Sequence, residues 1–288
     1  NPATIGMAER LRAEAGKVGA DAITAMMTER PSHGSEPPAA IAAAMKAADV
    51  VLMPTIQSPS HTKARREATE AGVRIATLPG VTEDMLARVM SADVAGLARN
   101  GAALAERLTA GSEVRVTSPG GSDLRLGIEG REGMSDDGNL TAPGAFGNLP
   151  CGEGFIAPVE GTASGTLVVD GSIGELGIVE EPVELSIEDG LLRTASGPMG
   201  ERLLELLEIG GEGGRNVAEL GIGTNEKAII TGEVLEDEKI LGTVHVAFGA
   251  SAAIGGTVQV PVHIDCVVRD ATVEIDGETV LADGRLTV

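Results

Sequence analysis

The chain has 288 residues, 42% of them hydrophobic, enough to bury the core of one large or two ordinary domains. Its formal net charge of −21 argues against a nucleic-acid partner, because binding phosphates needs clustered Lys and Arg, and suits a soluble protein, a divalent cation or a salty cytoplasm. Aromatic residues are 1% of the total, with neither Trp nor Tyr, so the core has to be packed from Ala, Val, Leu, Ile and Met.

The chain opens on Asn-Pro-Ala, a helix-like start rather than a signal-peptide pattern, as though an initial Met and a first strand preceded it. Helix formers with apolar periodicity run over 2–16, with Pro2 suited to a first turn. A short apolar run at 21–27 predicts a buried strand. An Ala-rich helix over 37–48, a strand over 49–55 and a helix over 61–72 closed by Gly72 follow. A strand at 73–78 leads to a helix over 82–90, capped by Thr82 with acids in its first turn, and then to a longer helix over 92–108. Strands alternating with helices predict a parallel sheet covered on both faces. The expected first domain is therefore a Rossmann-like α/β layer over 1–110. It carries no GxGxxG and no GKS or GKT loop, so the fold by itself implies no nucleotide. His33 and His61 lie in polar, loop-like surroundings and read as ordinary exposed histidines, although the Ser58–His61 stretch sits where α/β sheets bind ligands.

From Gly111 the texture changes to short alternating segments separated by Gly-rich turns. Strands are expected at 113–117, 123–128, 165–170, 183–187, 228–230, 243–248, 258–263, 266–268 and 272–275. One helix is expected at 199–207, and an Asp276-Gly277 turn predicts a closing hairpin. Residues 111–288 are thus expected to form a second, β-rich domain that carries a metal site, making the fold α/β plus α+β. Cys151 and Cys266 are far apart and form no CxxC, which predicts free thiols and a reducing cytoplasm. No run of 18 apolar residues occurs, so no membrane helix is expected.

The stretch 242–269 holds His245 and His263, with Asp265 two residues beyond the second. On a strand, positions i and i+2 share a face, so His263 and Asp265 are expected to point the same way. A buried histidine beside a buried carboxylate is costly unless something binds them, and a divalent metal is the natural occupant. Glu153 and Glu219 each stand alone in an apolar, Gly-rich setting and extend the candidate set. Imidazole with carboxylate suits Zn, Co, Mn or Fe(II) better than Ca or Mg. This donor set exceeds what one catalytic zinc takes while keeping a free position, and two ions sharing a carboxylate would account for the surplus. The bland alternative stays open: a lone Glu can pair with an Arg, and His-x-Asp on a strand is a common coincidence.

The segments NLPCGEGFIAP (148–158), VAELGIGTN (217–225), GTVHVAFG (242–249) and VPVHID (260–265), in this order, resemble the thermophilic metalloaminopeptidases. TSPGGSDLRLGIEGR (117–131) and GTLVVDGSIGELG (165–177) extend the resemblance over nearly the whole chain. It implies Glu153, Glu219, His245, His263 and Asp265 as ligands of two ions, a metal-activated water, a peptide or small amide substrate, and a homodimer. Two departures stand out. Ala252 occupies the position of the family's catalytic Tyr, and loss of such an oxyanion donor typically lowers the rate by about 10²–10³. The family's candidate general base has only Glu236 or Glu238 as counterparts, with Glu238 two residues out of register. In length the chain is closer to a second branch, the 2,5-dihydroxypyridine 5,6-dioxygenases, which implies mononuclear Fe(II) and a hydroxylated ring as substrate. That branch shares only His263 and Asp265 of the ligand set. It has a histidine at the place of Glu219, a serine near Ala247 and no counterpart of Glu153. A third reading is a metal-binding homologue without catalysis.

Overall fold

The computed structural model describes residues 2–288, which divide into two compact units. Of the described residues, the first comprises 2–91 and 138–151, the second 92–137 and 152–288.

In the first unit, Val50–Met53 and Arg74–Thr77 pair in parallel, and Phe146–Asn148 joins the latter to complete a three-stranded parallel sheet. Helices Pro2–Lys17, Ala39–Ala47, Lys63–Glu70 and Glu83–Val89 accompany it. Thr62 and Thr82 cap two of these helices, each hydroxyl accepting from the backbone N–H three residues on. Met45, Ala68, Val73 and Ile75 form the small core between helices and sheet. The strand expected at 21–27 is absent: this stretch is irregular, with Ile23 80% and Met26 68% exposed. The third strand comes instead from 146–148, a Gly-containing segment whose backbone pairs through register rather than apolar pattern. The division at residue 110 is also moved. Helix Val94–Ala110 belongs to the second unit, where it packs on Glu153–Ile156 through Gly154, whose missing Cβ makes room for Leu104.

The second unit is built on two antiparallel sheets, one eight-stranded and one seven-stranded. The eight-stranded sheet includes Glu113–Thr117, Asp123–Gly127, Ser164–Val169 and Val183–Glu188. It alternates apolar-in and polar-out, as Val183–Glu188 does residue by residue. The seven-stranded sheet runs, in spatial order, through Gly177–Ile178, Ser172–Ile173, His263–Val268, Val244–Gly249, Val217–Gly223, Glu153–Ile156 and Met134–Asp136. One face of it contributes Ile156, Leu220, Ile222, Val244, Val246, Phe248, Ile264, Cys266 and Val268 to the main core. Two sequence expectations change here. Residues 228–230 are not a strand, and the strands expected at 258–263 and 266–268 are a single strand that begins at His263. Among the described residues no helix is long and apolar enough to cross a membrane. The fold is mixed α/β, with one small parallel sheet and large antiparallel sheets.

Candidate metal centre

Strand alternation sends every second residue of the seven-stranded sheet away from the core, and the candidate ligands all lie on that side. In the central antiparallel pair, Val244, Val246 and Phe248 enter the core, which leaves His245, Ala247 and Gly249 on the opposite face. The neighbouring strand buries Ile264, Cys266 and Val268 and so presents His263 and Asp265, with Asp265 opposite Ala247 and His263 opposite Gly249. Gly154 and Ile156 pair with core residues Ile222 and Leu220, so Glu153 lies on the ligand face.

Glu219 needs a further device. The register against Val244–Gly249 slips between Val217 and Glu219, so that Val217 pairs with Phe248 and Glu219 with Ala247. This bulge at Ala218 keeps both Val217 and Leu220 in the core while turning Glu219 to the other face. Gly221 faces His245 across the ladder, and a Cβ there would collide with the imidazole ring. Gly221 thus makes room for the His245 ring, whereas the space at Gly223 is filled by the Ile240 backbone.

His245 Nε2 lies 3.2 Å from Glu153 Oε2 and 3.5 Å from Glu219 Oε1. His263 Nε2 lies 3.3 Å from Glu219 Oε2 and 3.6 Å from Asp265 Oδ1. Glu219 thus turns one oxygen to each histidine, and it is common to two groups of donor atoms: Glu153, Glu219 and His245, and Glu219, His263 and Asp265. A third group joins Glu238 to His245 and Asp265. Atoms bound at about 2.0–2.2 Å to one ion are roughly 3–3.6 Å from each other, which matches these separations. His245 is fully buried, and its Nε2 and the Glu153 Oε2 beside it are enclosed without a properly aligned hydrogen bond. Enclosed donors that converge but do not bond one another fit a divalent ion. His263 is oriented by its Nδ1, 2.8 Å from the Ala250 carbonyl, which leaves Nε2 for the centre.

The electrostatics follow from burial among acids. Burial opposes charge on both histidines, but Glu153 and Glu219 around His245, and Asp265 and Glu219 around His263, outweigh it and hold both well above the usual histidine range. Burial would raise the Glu219 carboxyl, yet the two histidines hold it well below the usual range. Burial, with Glu153 and Asp265 adding to it against the pull of Lys239, pushes Glu238 up to about 8.

The acidic run 236–239 departs from its sequence reading. Glu236, expected as a possible base, is fully buried away from the donor groups, and its Oε1 accepts from the Ile229 N–H at 2.8 Å. Asp237 likewise accepts from Thr231 and Gly232, so both carboxylates hold the 228–232 loop. Of the run's carboxylates, Glu238 alone joins a donor group. Two residues that sequence reasoning missed stand behind it. Lys239 is fully buried and ion-paired to Glu153, to Glu238 at 2.7 Å and to Asp136 at 3.4 Å. Asp136 is pushed by burial up to about 7 despite Lys239. In sequence, Lys239 reads as one member of a solvated charge run. Its only signal is the apolar Ile240-Leu241 that follows.

His33 and His61 are exposed, and His33 Nδ1 accepts from the Ser58 N–H at 2.8 Å. Cys151 and Cys266 are both buried free thiols.

Comparison with known proteins places this arrangement among relatives. The NicX family, 2,5-dihydroxypyridine 5,6-dioxygenase, matches residues 3–288. A 2,5-dihydroxypyridine 5,6-dioxygenase of Pseudomonas putida is 24% identical over 259 residues, covering 84% of this chain and 71% of that protein. The solved structure of 2,5-dihydroxypyridine dioxygenase from Pseudomonas putida KT2440 superposes with a TM-score of 0.79 at 22% identity, over 92% of this chain and 80% of that one. AmpT from Thermus thermophilus superposes with a TM-score of 0.70 at 18% identity, over 99% and 91%. At these identities the structural likenesses describe the fold.

Proposed function

The chain belongs to the 2,5-dihydroxypyridine 5,6-dioxygenase family, and on that premise we propose that it is a metal-dependent oxygenase that opens a hydroxylated nitrogen-containing aromatic ring. The observation that carries this reading is the family match across residues 3–288, which spans every strand of the donor cluster. The absence of any Tyr, with Ala252 at the position of the peptidases' oxyanion donor, weighs in the same direction. This order reverses the expectation from the sequence, where hydrolysis came first.

Under this reading His263 and Asp265 hold the ion, with Glu219 and His245 completing its surroundings. A bound ion would supply Lewis acidity and, as Fe(II), one-electron redox chemistry. Glu238, whose carboxyl burial pushes up to about 8, would be the group to exchange a proton with a substrate hydroxyl. The Ala250 carbonyl, 2.8 Å from His263 Nδ1, would fix the His263 tautomer.

A second reading is supported by one specific observation, the sharing of Glu219 between two donor groups. It is a hydrolase with two divalent ions (Zn, Co or Mn) acting on a peptide or small amide. One preparation separates the two. After anaerobic reconstitution with Fe(II), oxygen uptake matching the loss of a dihydroxypyridine supports the oxygenase. Two ions per chain, aminoacyl-p-nitroanilide hydrolysis and no oxygen uptake across a panel of hydroxylated rings would overturn it in favour of the hydrolase.

A further inference from the structure

Lys239 is fully enclosed, and its ammonium meets carboxylates from separate elements: Glu153 on one strand, Asp136 on the next, and Glu238 beside it. Its backbone is fixed as well, the N–H donating to the Glu236 carbonyl and the carbonyl accepting from the Asn225 N–H, at 2.9 and 2.8 Å. An ammonium has three N–H donors and no acceptor, so three carboxylate neighbours match its capacity. A buried cation of this kind is costly unless its partners are well placed, and leaving one carboxylate unpaired is costly too.

The consequence falls on Glu153. Its Oε1 is taken by Lys239, while its Oε2 faces His245 Nε2 at 3.2 Å and lacks an aligned hydrogen bond. The two oxygens of one carboxylate are thereby given different tasks. We propose that Lys239 is a positioning residue of the centre: its ammonium engages Glu153 Oε1, so that Glu153 presents Oε2 alone towards His245 and Glu219, and its charge offsets Asp136 and Glu238 behind. The proposal rests on the metal-centre reading and adds to it the residue that sets how Glu153 binds. Removing the ammonium frees Glu153 to turn or to use both oxygens, and partners of metal ligands typically contribute about 10–100-fold to affinity.

The test is Lys239→Met, which keeps an unbranched side chain in the enclosed site. Zinc affinity is measured by chelator competition, and the cobalt(II) visible spectrum of each protein is recorded. Wild type is expected to bind, with Lys239→Met weaker by about tenfold or more and its cobalt bands changed in intensity. Unchanged zinc affinity and an unchanged cobalt spectrum in Lys239→Met would overturn the proposal while leaving the metal centre standing. A wild type that binds neither zinc nor cobalt would remove the metal-centre reading and the proposal with it. If Lys239→Met does not fold, wild type serves alone. Lys239, fully enclosed and alone among the described lysines in being so, is expected to give a slowly exchanging ammonium resonance that shifts on zinc saturation. A resonance that stays in place through saturation overturns the proposal.

Discussion

At the scale of single residues, the donor cluster depends on side chains that are small as much as on the donors themselves. Gly221 sits directly beneath the His245 ring, where any Cβ would strike it. Gly221→Ala is expected to lower stability by about 1–3 kcal/mol, as overpacking of an interior does. It is also expected to weaken zinc binding, and calorimetry on the same samples reads both effects. Glu219 is the donor common to two groups, each oxygen 3.3–3.5 Å from a histidine. Glu219→Gln keeps the shape but removes the charge, and bound metal after dialysis is expected to fall below one-tenth of the wild-type content. A Glu236→Gln variant serves as the contrast, because that carboxylate holds the Ile229 N–H outside the donor groups and its loss is expected to leave metal content unchanged.

At the scale of elements, the donors are a property of paired strands, and their titration is collective. In the metal-free protein both histidines are held above their ordinary range, so they stabilise the fold fully below about pH 6.5 and lose that contribution as pH rises through their raised values. Glu238 and Asp136, raised to about 8 and about 7, act in the same direction. The folded chain keeps protons that the unfolded chain releases near pH 4, so stability declines between about pH 4 and 8. Glu219, held low by the histidines, contributes in the opposite sense, and its share is lost only on acidification below the usual carboxylate range. Metal binding has the reverse slope, because histidines must lose their protons to ligate. Thermal melts from pH 5 to 8.5 are therefore expected to show Tm falling with pH in EDTA, and a gap between metal-loaded and EDTA-treated protein that widens with pH. A gap that narrows would contradict the assignment of the histidines as ligands. The core side of the same strands makes a separate prediction. Leu220→Ala empties a fully buried position between the flanking strands and is expected to cost about 2–5 kcal/mol in urea unfolding.

At the scale of the whole molecule, the second unit joins a core-facing sheet surface to a donor-bearing one through the same strands, so under the metal-centre proposal occupancy and global stability would be linked. A ligand present at 100 times its Kd adds about 2.7 kcal/mol, and metal removal is expected to lower the melting temperature by a corresponding amount. Much of this was legible in the chain. The alternation around His245 and the His-x-Asp pair put polar donors on one strand face, and their cost of burial pointed to a cation before any geometry was known. The helices of the first unit were legible from period and caps such as Thr62 and Thr82. Other features were not, for identifiable reasons. Residues 21–27 had the apolar content of a strand but found no partner, since a strand is stabilised by pairing that local sequence does not encode. The parallel sheet was completed instead from 146–148, over seventy positions along the chain from Arg74–Thr77.

The amino-acid sequence by itself determined which residue types are present that could bind a cation, the two faces of each strand, and the absence of tyrosine. Tertiary structure alone decided which of those residues meet. The bulge at Ala218 turns Glu219 towards both histidines, and the charged run 236–239 is drawn inside, so that Lys239 faces Glu153 while Glu236 faces a loop. The physical reason is that strand alternation is a local property with a period of two, whereas register, bulges and the pairing of buried charges are settled only when distant strands hydrogen-bond and exclude water from between them.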